Sequence, residues 1–350
     1  MSKDELLTKL GIDHPIIQAP MAGGTDTPEL VAAVSNAGGL GSVGAAYLSP
    51  VQIVEAIKKI RTLTGKPFNV NLFAGGYDDT ENDKDAQPML SLLTSIHQEL
   101  GLPPPVLPSV SRDPFPEQFE TVLEAHPSVF SFTFGIPKHE AIEHLKSRKI
   151  AVLGTATSLK EALMLDEAGV DAIVAQGAEA GAHRGTFGEP FEKAMVPTID
   201  LVRGITQEVS VPIIASGGMM DGGEIAISMS AGASAAQLGT AFLTCSESGA
   251  SQAHKRAVLE AKTDTTVITR AFSGRPARGI ANRFTSKLEG RDDLILPFPL
   301  QNVLTRPMRN AAAKRGDARY LSLWAGKGAA KARSMPAGEL VRLLVREMEN

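Results

Sequence analysis

The sequence contains little cysteine, few aromatic residues and no long hydrophobic run. Its 350 residues include one cysteine, Cys245, and one tryptophan. A single cysteine excludes an internal disulfide, and no charged segment followed by an apolar run stands near residue 1, so we expect no export. No apolar stretch approaches the roughly 18 residues that a membrane-spanning helix needs. The formal net charge of −4 combines scattered charges of both signs, which leaves no basic stripe for nucleic acid or an anionic membrane. These absences favour a cytoplasmic protein that acts on a small molecule.

What the sequence does contain is a regular alternation of short β-rich runs and helical patterns. Pro28 and Pro50 stand where a first helical turn tolerates a missing N–H, and glycines follow the helices. This βα rhythm is typical of a parallel sheet, and strands that are apolar nearly throughout indicate that both faces are covered. We therefore predict an α/β fold, a TIM (β/α)8 barrel. Its eight strands are expected at residues 15–20, 40–44, 68–73, 129–135, 150–156, 172–177, 211–218 and 235–243.

Two parts of the chain depart from this rhythm. Residues 74–126 carry a Gly-Gly pair, an acidic stretch and the proline-rich "LPPPVLP", and we predict an insertion on the barrel, which occupies residues 1–245. Residues 246–350 combine a polar segment with helical patterns near the end. They predict a smaller, mostly helical second domain that covers the substrate and partly packs back on the barrel. The segments "PFPLQN" and "YLSLWAG", with Tyr320 and Trp324, are either a lid over the barrel mouth or core packing between helices.

The loops after the seventh and eighth predicted strands are rich in glycine. In TIM barrels the active site lies at the C-terminal ends of the strands, and phosphate often binds in these two loops. Gly217 and Gly218 follow the seventh strand, and Gly239 and Thr240 lie near the end of the eighth. Because glycine lets backbone N–H groups approach an anion closely, the pattern predicts a phosphate-bearing ligand. The alternative is that each pair only makes a tight turn.

The stretch "AQGAEAGAHRGT", residues 175–186, places one histidine and one arginine among small residues after the sixth strand. Small neighbours leave room for a flat ligand against the loop, which makes His183 the candidate catalytic residue. Arg184 is expected either to pair with a carboxylate or to stabilise the loop, and Glu179 is expected to cap or brace it. The other six histidines lack this setting. No histidine pair has metal-ligand spacing, so we expect no metal site.

Five polar side chains are expected at the same end of the barrel. Gln18, Ser42 and Asn71 belong to the first three strands, whereas Gln176 and Gln237 lie in the sixth and eighth. Buried amides need hydrogen-bond partners, and the edge of a heterocycle with alternating donors and acceptors supplies them. Their convergence on one rim favours a cofactor site over hydrogen bonds within the core.

Four sequence motifs, in this order along the chain, contain many of the candidate site residues. The stretches "QAPMAGG", "FTFGIP", "AQGAEAGAHRG" and "QLGTAFLTCSES" resemble the class I nitronate monooxygenases, and so do "PFPLQNVLTRPMRNAA" and "YLSLWAGKG" nearer the end. The resemblance implies a TIM barrel with a smaller helical domain that binds FMN noncovalently. It also implies that O2 oxidises alkyl nitronates such as propionate 3-nitronate to carbonyl compounds and nitrite, by way of an anionic flavosemiquinone. A homodimer is one expected assembly.

The resemblance also implies roles for individual residues. His183 would be the catalytic residue, which hydrogen-bonds the nitro group or acts as a base on neutral nitroalkanes. Two positions depart from the family pattern: Ala182 stands where a second glycine is usual, and Asn69 stands where glycine is more common. The expected cofactor-binding residues are Ala19, Met21, Asn71, Gln176, Gly181, Gly217, Gly218, Gln237, Leu238, Gly239 and Thr240.

Two other functions stay open from the sequence. A flavin-dependent enoyl-acyl-carrier-protein reductase shares this barrel and a related histidine loop, but it needs a nicotinamide donor and room for a carrier-bound chain. A non-catalytic flavin- or phosphate-binding sensor would bind FMN without turning over any nitronate. The polar rim around His183 argues against the sensor, and flavin reduction by NADH would distinguish the reductase.

Overall fold

The strands form one large parallel sheet and one small antiparallel sheet in a computed structural model that describes residues 3–77, 84–109 and 113–349. The strands of these described residues are β1 (Ile16–Gln18), β2 (Gly41–Gly44), β3 (Phe68–Phe73), β4 (Val129–Thr133), β5 (Ala151–Ala156), β6 (Ala172–Gln176), β7 (Ala182–His183), β8 (Ile213–Ser216), β9 (Ala235–Leu238), β10 (Thr266–Thr269) and β11 (Ala277–Ile280). The large sheet has the order β1-β9-β8-β6-β5-β4-β3-β2, and all of its pairs are parallel.

The large sheet closes on itself between β1 and β2. Ile17 and Leu40 form a parallel bridge across the gap. The Leu40 N–H donates to the Ile16 carbonyl at 2.9 Å, and the Gln18 N–H donates to the Leu40 carbonyl at 2.9 Å. Closure leaves the eight strands with no free edge, as in a barrel. The predicted TIM barrel is confirmed.

Helices follow the barrel strands and cover the outside of the sheet. Two of them begin at the predicted prolines. Thr27 caps the helix that begins at Pro28, because its hydroxyl accepts from the Leu30 N–H, and Ser49 forms a capping box with Gln52 at the helix that begins at Pro50. The helices of the described residues are α1 (Lys3–Leu10), α2 (Pro28–Asn36), α3 (Pro50–Leu63), α4 (Gln87–Glu99), α5 (Phe115–Ala125), α6 (His139–Ser147), α7 (Leu159–Glu167), α8 (Thr198–Thr206), α9 (Gly222–Ser230), α10 (Thr240–Leu243), α11 (Gln252–Leu259), α12 (Arg283–Lys287), α13 (Leu300–Arg315) and α14 (Ala337–Met348), with 3₁₀ turns at Ala318–Tyr320 and Lys327–Lys331.

The two terminal helices complete the barrel. The side chains of Leu6 and Leu10 on α1 are buried among residues at the start of the strands, such as Val129 and Ala151, so α1 covers the N-terminal end. The helix α14 packs between α9 and α2, where the eighth barrel helix belongs, and buries Leu344. The open end of the barrel is therefore the C-terminal one, where the predicted site residues lie.

Two predicted boundaries are wrong by several residues. The eighth barrel strand was expected to run to residue 243, but β9 ends at Leu238 because Gly239 has helical backbone angles and its carbonyl accepts from Phe242 N–H at 2.9 Å. The predicted insertion was expected to reach residue 126. However, α5 packs against α3 and β3 as the helix of the third βα unit. The additional segment therefore ends before Phe115.

The additional segment and the region after α11 share a second core. Met89 and Leu93 of α4 are buried against Leu304 and Met308 of α13, and Phe284 of α12 joins them. The segment predicted only to be polar also contains strands, because β10 pairs with β11 and β11 pairs with β7, both antiparallel. The short strand β7 carries His183 and thus ties the site loop to the second core.

Candidate functional site

A cavity of about 630 Å³ opens at the C-terminal ends of the barrel strands. It brings together every residue that the sequence singled out as catalytic or cofactor-binding, from loops far apart in the chain. These lining residues are Ala19, Met21, Asn71, Gln176, Gly181, His183, Gly217, Gly218, Gln237, Leu238, Gly239 and Thr240. The barrel therefore presents the predicted set on one surface.

His183 lies in this cavity with its ring enclosed by aromatic side chains. The ring centroids of Trp324, Phe134 and Phe73 are 5.7, 5.8 and 6.5 Å from that of His183. Its Nε2 is 2.8 Å from the Ser273 hydroxyl. Burial, followed by the nearby charges of Arg275 and Arg309, lowers the pKa of His183 to about 3. The imidazole is consequently neutral at physiological pH.

Gln176 holds the loop that carries His183. Its Nε2 donates to the His183 carbonyl at 2.9 Å, and its Oε1 accepts from the Gly185 N–H at 2.8 Å. One amide thus joins the end of β6 to both sides of Arg184. Because both ends of the amide have partners, the orientation of Gln176 in the cavity is determined by the protein itself.

Arg184 and Glu179 both stabilise the site loops. The Arg184 side chain is buried, and its guanidinium donates to the carbonyls of Gln176, Gly177 and Ala194 at 2.6 to 3.0 Å. Of the two roles expected for Arg184, the structure shows loop stabilisation rather than a carboxylate pair. Glu179 Oε2 accepts from the N–H and hydroxyl of Thr198, at 2.9 and 2.7 Å, and so braces the start of α8 as expected.

The five polar side chains expected at the rim divide into two groups. Gln18 and Ser42 are fully buried and bonded to each other, since Gln18 Oε1 accepts from the Ser42 N–H at 2.9 Å, so they belong to the core. Asn71, Gln176 and Gln237 line the cavity. The expectation that all five face one ligand is therefore wrong for the first two, because their strands turn them into the barrel.

The glycines of the site serve two different purposes. A Cβ at Gly181 would stand 2.6 Å from the Ala325 backbone carbon, so this glycine admits another segment of the chain. Of the small residues expected to leave room for a ligand, Gly181 thus also makes room for another part of the chain. A Cβ at Gly239 would instead meet nothing nearer than 3.5 Å. Packing within the protein does not require glycine at that position, which leaves an open approach for a ligand.

Ala182, where the family resemblance leads us to expect glycine, has a left-handed backbone with φ of 62°. This conformation costs a residue with a Cβ roughly 1–2 kcal/mol, whereas glycine adopts it freely. The antiparallel pairing of Ala182 with Arg278 holds the conformation in place. The departure at Ala182 thus places backbone strain directly beside His183.

Several lining residues have no signal in the sequence that singles them out. Tyr47 follows β2, His254 lies on α11, and Arg306 and Arg309 come from α13. Only the fold brings α11 and α13 to the barrel mouth, although an aromatic residue just after a barrel strand could have drawn attention to Tyr47. Among the described residues, the Tyr47 hydroxyl and Arg309 Nε are buried without a hydrogen-bond partner.

The mouth of the cavity is positively charged. The Arg306 guanidinium lies 5.8 Å from the Tyr47 ring centre, and Arg309 donates to the Asn302 carbonyl and side chain. Burial lowers the pKa of Arg309 to about 10, which leaves it protonated at neutral pH. Two guanidinium groups that line the same cavity as a neutral histidine favour an anionic ligand.

The donors and open space fit a phosphate-bearing flavin such as FMN. The space at Gly239 is adjacent to Thr240, whose hydroxyl oxygen accepts from Gly326 N–H and whose proton has no acceptor among the described residues. Gly217 and Gly218, with φ of 126° and 81°, form the neighbouring loop. Asn71, Gln176 and Gln237 supply amides for a heterocycle, and the cavity is within the size range of small-molecule sites.

Comparisons with known proteins identify the family of the chain. A family described as "Nitronate monooxygenase" matches residues 4–347. The chain is 41% identical over 340 residues to a probable nitronate monooxygenase of Staphylococcus saprophyticus, covering 97% of this chain and 95% of the relative. A probable nitronate monooxygenase of Staphylococcus aureus is 41% identical over 348 residues, covering 99% and 98%.

Solved structures resemble the whole chain as well. Nitroalkane oxidase from Streptomyces ansochromogenes superposes with a TM-score of 0.91 at 40% identity, covering 98% of this chain and 97% of that one. FabK from Thermotoga maritima gives a TM-score of 0.78 at 29% identity, covering 99% and 96%. No helix in the described residues is long and apolar enough to span a membrane. The chain is an oxidoreductase and belongs to the nitronate monooxygenase family.

Proposed function

We propose that this enzyme binds FMN noncovalently and uses O2 to oxidise alkyl nitronates to carbonyl compounds and nitrite. The observation that carries the proposal is the pairing of a neutral, enclosed His183 with guanidinium groups at the mouth of a flavin-sized cavity. A nitronate is already a carbanion, so it needs an electron acceptor and an anion site rather than a strong base. Bound FMN would supply the electron acceptor.

The cofactor residues divide by chemistry. The phosphate is assigned to the backbone of Gly218 and Gly239 and to the Thr240 hydroxyl, and the open space at Gly239 permits close approach there. The amides of Asn71, Gln176 and Gln237 are assigned to the polar edge of the flavin ring. Met21 and Ala19 are assigned to its apolar surface. The proximity of all these groups to His183 in one cavity supports the assignment.

His183 is assigned the role of a neutral hydrogen-bond donor to the nitronate. The shorter contact of the Ser273 hydroxyl is to His183 Nε2, at 2.8 Å, against 3.2 Å to the Arg275 carbonyl. A hydroxyl that donates to Nε2 leaves the ring proton on Nδ1, where it can donate to a nitronate oxygen. With a pKa of about 3, the ring is too weak a base to take a proton from a neutral nitroalkane efficiently. We therefore assign pre-formed nitronates as the substrates.

The second candidate function is that of a flavin-dependent enoyl-acyl-carrier-protein reductase. The structural similarity to FabK from Thermotoga maritima favours it. The identity of 29% to that structure is lower than the 40% to nitroalkane oxidase and the 41% to the probable nitronate monooxygenases. The positive rim and the small space beside His183 also suit a compact anion better than a carrier-bound chain.

An anaerobic comparison of two reductants separates the candidates. The FMN-loaded protein is mixed without oxygen with an alkyl nitronate or with NADH, and the flavin absorbance is followed. We expect the nitronate to change the flavin spectrum and NADH to leave it unchanged over the same time. Rapid bleaching by NADH alone would support the reductase, and no change with either compound would support a sensor.

A further inference from the structure

The segment Trp324–Gly328 packs backbone to backbone against the loops of the candidate site. A Cβ at Gly326 would stand 2.6 Å from the Glu179 carbonyl oxygen, and a Cβ at Gly328 would stand 2.4 Å from the Gly218 carbonyl oxygen. Real Cβ atoms do not approach backbone that closely. Gly326 itself has φ of −80°, which any residue can adopt, so close packing and not backbone strain excludes a side chain. The segment is thus packed against two loops that line the cavity.

Two backbone hydrogen bonds fix the same segment to the site. Lys327 N–H donates to the Glu179 carbonyl at 3.0 Å. Gly326 N–H donates to the Thr240 hydroxyl oxygen at 2.9 Å. A hydroxyl that accepts from one side retains its own proton for another partner, and no described residue accepts the proton of Thr240. Because Thr240 lines the cavity beside Gly239, that proton is available to a ligand there.

We propose that Gly326 is a positioning residue for the cofactor phosphate: its N–H orients the Thr240 hydroxyl so that this hydroxyl donates to the phosphate between Gly218 and Gly239. The inference rests on the phosphate placement in the proposed function. It adds that a residue near the end of the chain, outside the glycine pairs of the barrel loops, controls cofactor affinity. Gly326 acts through Thr240 and does not itself contact the ligand.

This arrangement makes a prediction specific to the phosphate. Gly326→Ala pushes the segment away from Glu179 and withdraws the N–H from Thr240, which frees the hydroxyl to rotate. Thr240→Val removes the hydroxyl altogether. Hydrogen bonds to charged groups are among the stronger ones, so each variant should bind FMN about 10-fold or more weakly. Riboflavin has the same ring without the phosphate, so its affinity should change by less than about twofold.

The experiment is a double-mutant cycle measured with two ligands. Dissociation constants for FMN and riboflavin are determined by flavin fluorescence for the wild type, Gly326→Ala, Thr240→Val and the double variant, and each melting temperature is recorded. Gly338→Ala is the matched control, because a Cβ there meets nothing nearer than 3.5 Å. If Gly326 acts through Thr240, the double variant should bind FMN no more weakly than Thr240→Val alone.

The outcomes distinguish this inference from the proposed cofactor site. Additive losses in the double variant, or equal losses for FMN and riboflavin in Gly326→Ala, would overturn the role of Gly326. A wild-type protein that binds riboflavin as tightly as FMN would instead overturn the phosphate placement. If Gly326→Ala does not fold, hydrogen exchange of the wild-type segment 324–328 decides. FMN should protect it more than riboflavin does, and equal protection contradicts the proposal.

Discussion

Replacement of His183 by asparagine should slow nitronate oxidation only modestly and by the same factor at every pH. The ring is enclosed by aromatic side chains, and burial near Arg275 and Arg309 lowers its pKa to about 3. Between pH 5 and 8 the imidazole therefore stays neutral and offers one hydrogen bond. Such a bond contributes about 0.5–1.5 kcal/mol, which corresponds to a loss of roughly 2- to 13-fold in kcat/KM. Asparagine retains a donor, so the loss should lie near the lower end.

The same pKa predicts how stability depends on pH. The folded pKa lies below the unfolded value of 6.5, so the unfolded chain takes up a proton that the folded chain does not. The contribution of His183 is fully present above pH 6.5 and is lost as the pH falls toward 3. Each pH unit within that window costs up to about 1.4 kcal/mol, so lowering the pH from 7 to 4.5 should remove about 2.5 kcal/mol of the His183 contribution. His183→Asn should lack this loss.

Two measurements test the reasoning on the same proteins. The kcat/KM for a pre-formed nitronate is recorded from pH 5 to 8 for the wild type and His183→Asn, and urea unfolding is measured at pH 7 and 4.5. A pH-dependent step in kcat/KM near pH 6–7 that is present in the wild type and absent only from His183→Asn would refute a neutral His183 ring. Asp26→Asn is the control. The Asp26 carboxylate accepts from the N–H of Met21, which lines the cavity, and burial raises the pKa of Asp26 to about 7, so a pH-dependent step from that group should disappear in this variant instead.

Three further predictions concern the loops around the cavity. Gly239→Ala should leave the melting temperature unchanged, since a Cβ there meets only ordinary contacts within the protein, but it should weaken FMN binding at least 10-fold because the Cβ occupies the space assigned to the phosphate. Unchanged FMN affinity would contradict the assignment of the phosphate to Gly239. Asp26→Asn should gain stability over the wild type as the pH rises from 4 to 8, because the folded pKa exceeds the unfolded 3.8 and the wild type loses stability across that window; urea unfolding at both ends checks it. Ala182→Gly should relieve the left-handed backbone, but glycine also increases the entropy of the unfolded chain, so the free energy of unfolding should change by no more than about 1 kcal/mol, with nitronate turnover retained; a large loss of turnover would show that the methyl group itself has a role.

The barrel could be predicted from the sequence because each βα unit carries its own signals. Apolar runs mark the strands, and Pro28 and Pro50 mark helix starts, and these are local patterns. The position of α14 was harder to predict, because a helix separated from β9 by about 100 residues fills the eighth place only through packing on α2 and α9. The strand β10 was missed although "TVIT" is rich in β-branched residues.

The residues of the candidate site also divide into those that local sequence patterns predict and those that only the folded structure brings there. The residues at strand ends, such as Gln176 and Gly239, could be predicted because the C-terminal ends of barrel strands converge in every TIM barrel. The reason why residue 181 is glycine could not be predicted, because Ala325, which packs against it, is distant in the sequence. Arg309 could not be predicted either, since a helix of the second core brings it to the mouth. Local pattern identified the half of the site that belongs to the barrel, and tertiary packing supplies the other half.

The most direct test of the proposed activity is the stoichiometry of nitronate oxidation in the presence of oxygen. Purified FMN-loaded protein is supplied with a pre-formed alkyl nitronate in air-saturated buffer, and oxygen consumption and nitrite release are measured together, with protein lacking flavin as the control. We expect enzyme-dependent oxygen uptake accompanied by nitrite and a carbonyl product, with no requirement for NADH. Flavin-loaded protein that consumes no oxygen and releases no nitrite above the flavin-free control, while it oxidises NADH, would contradict the proposed function.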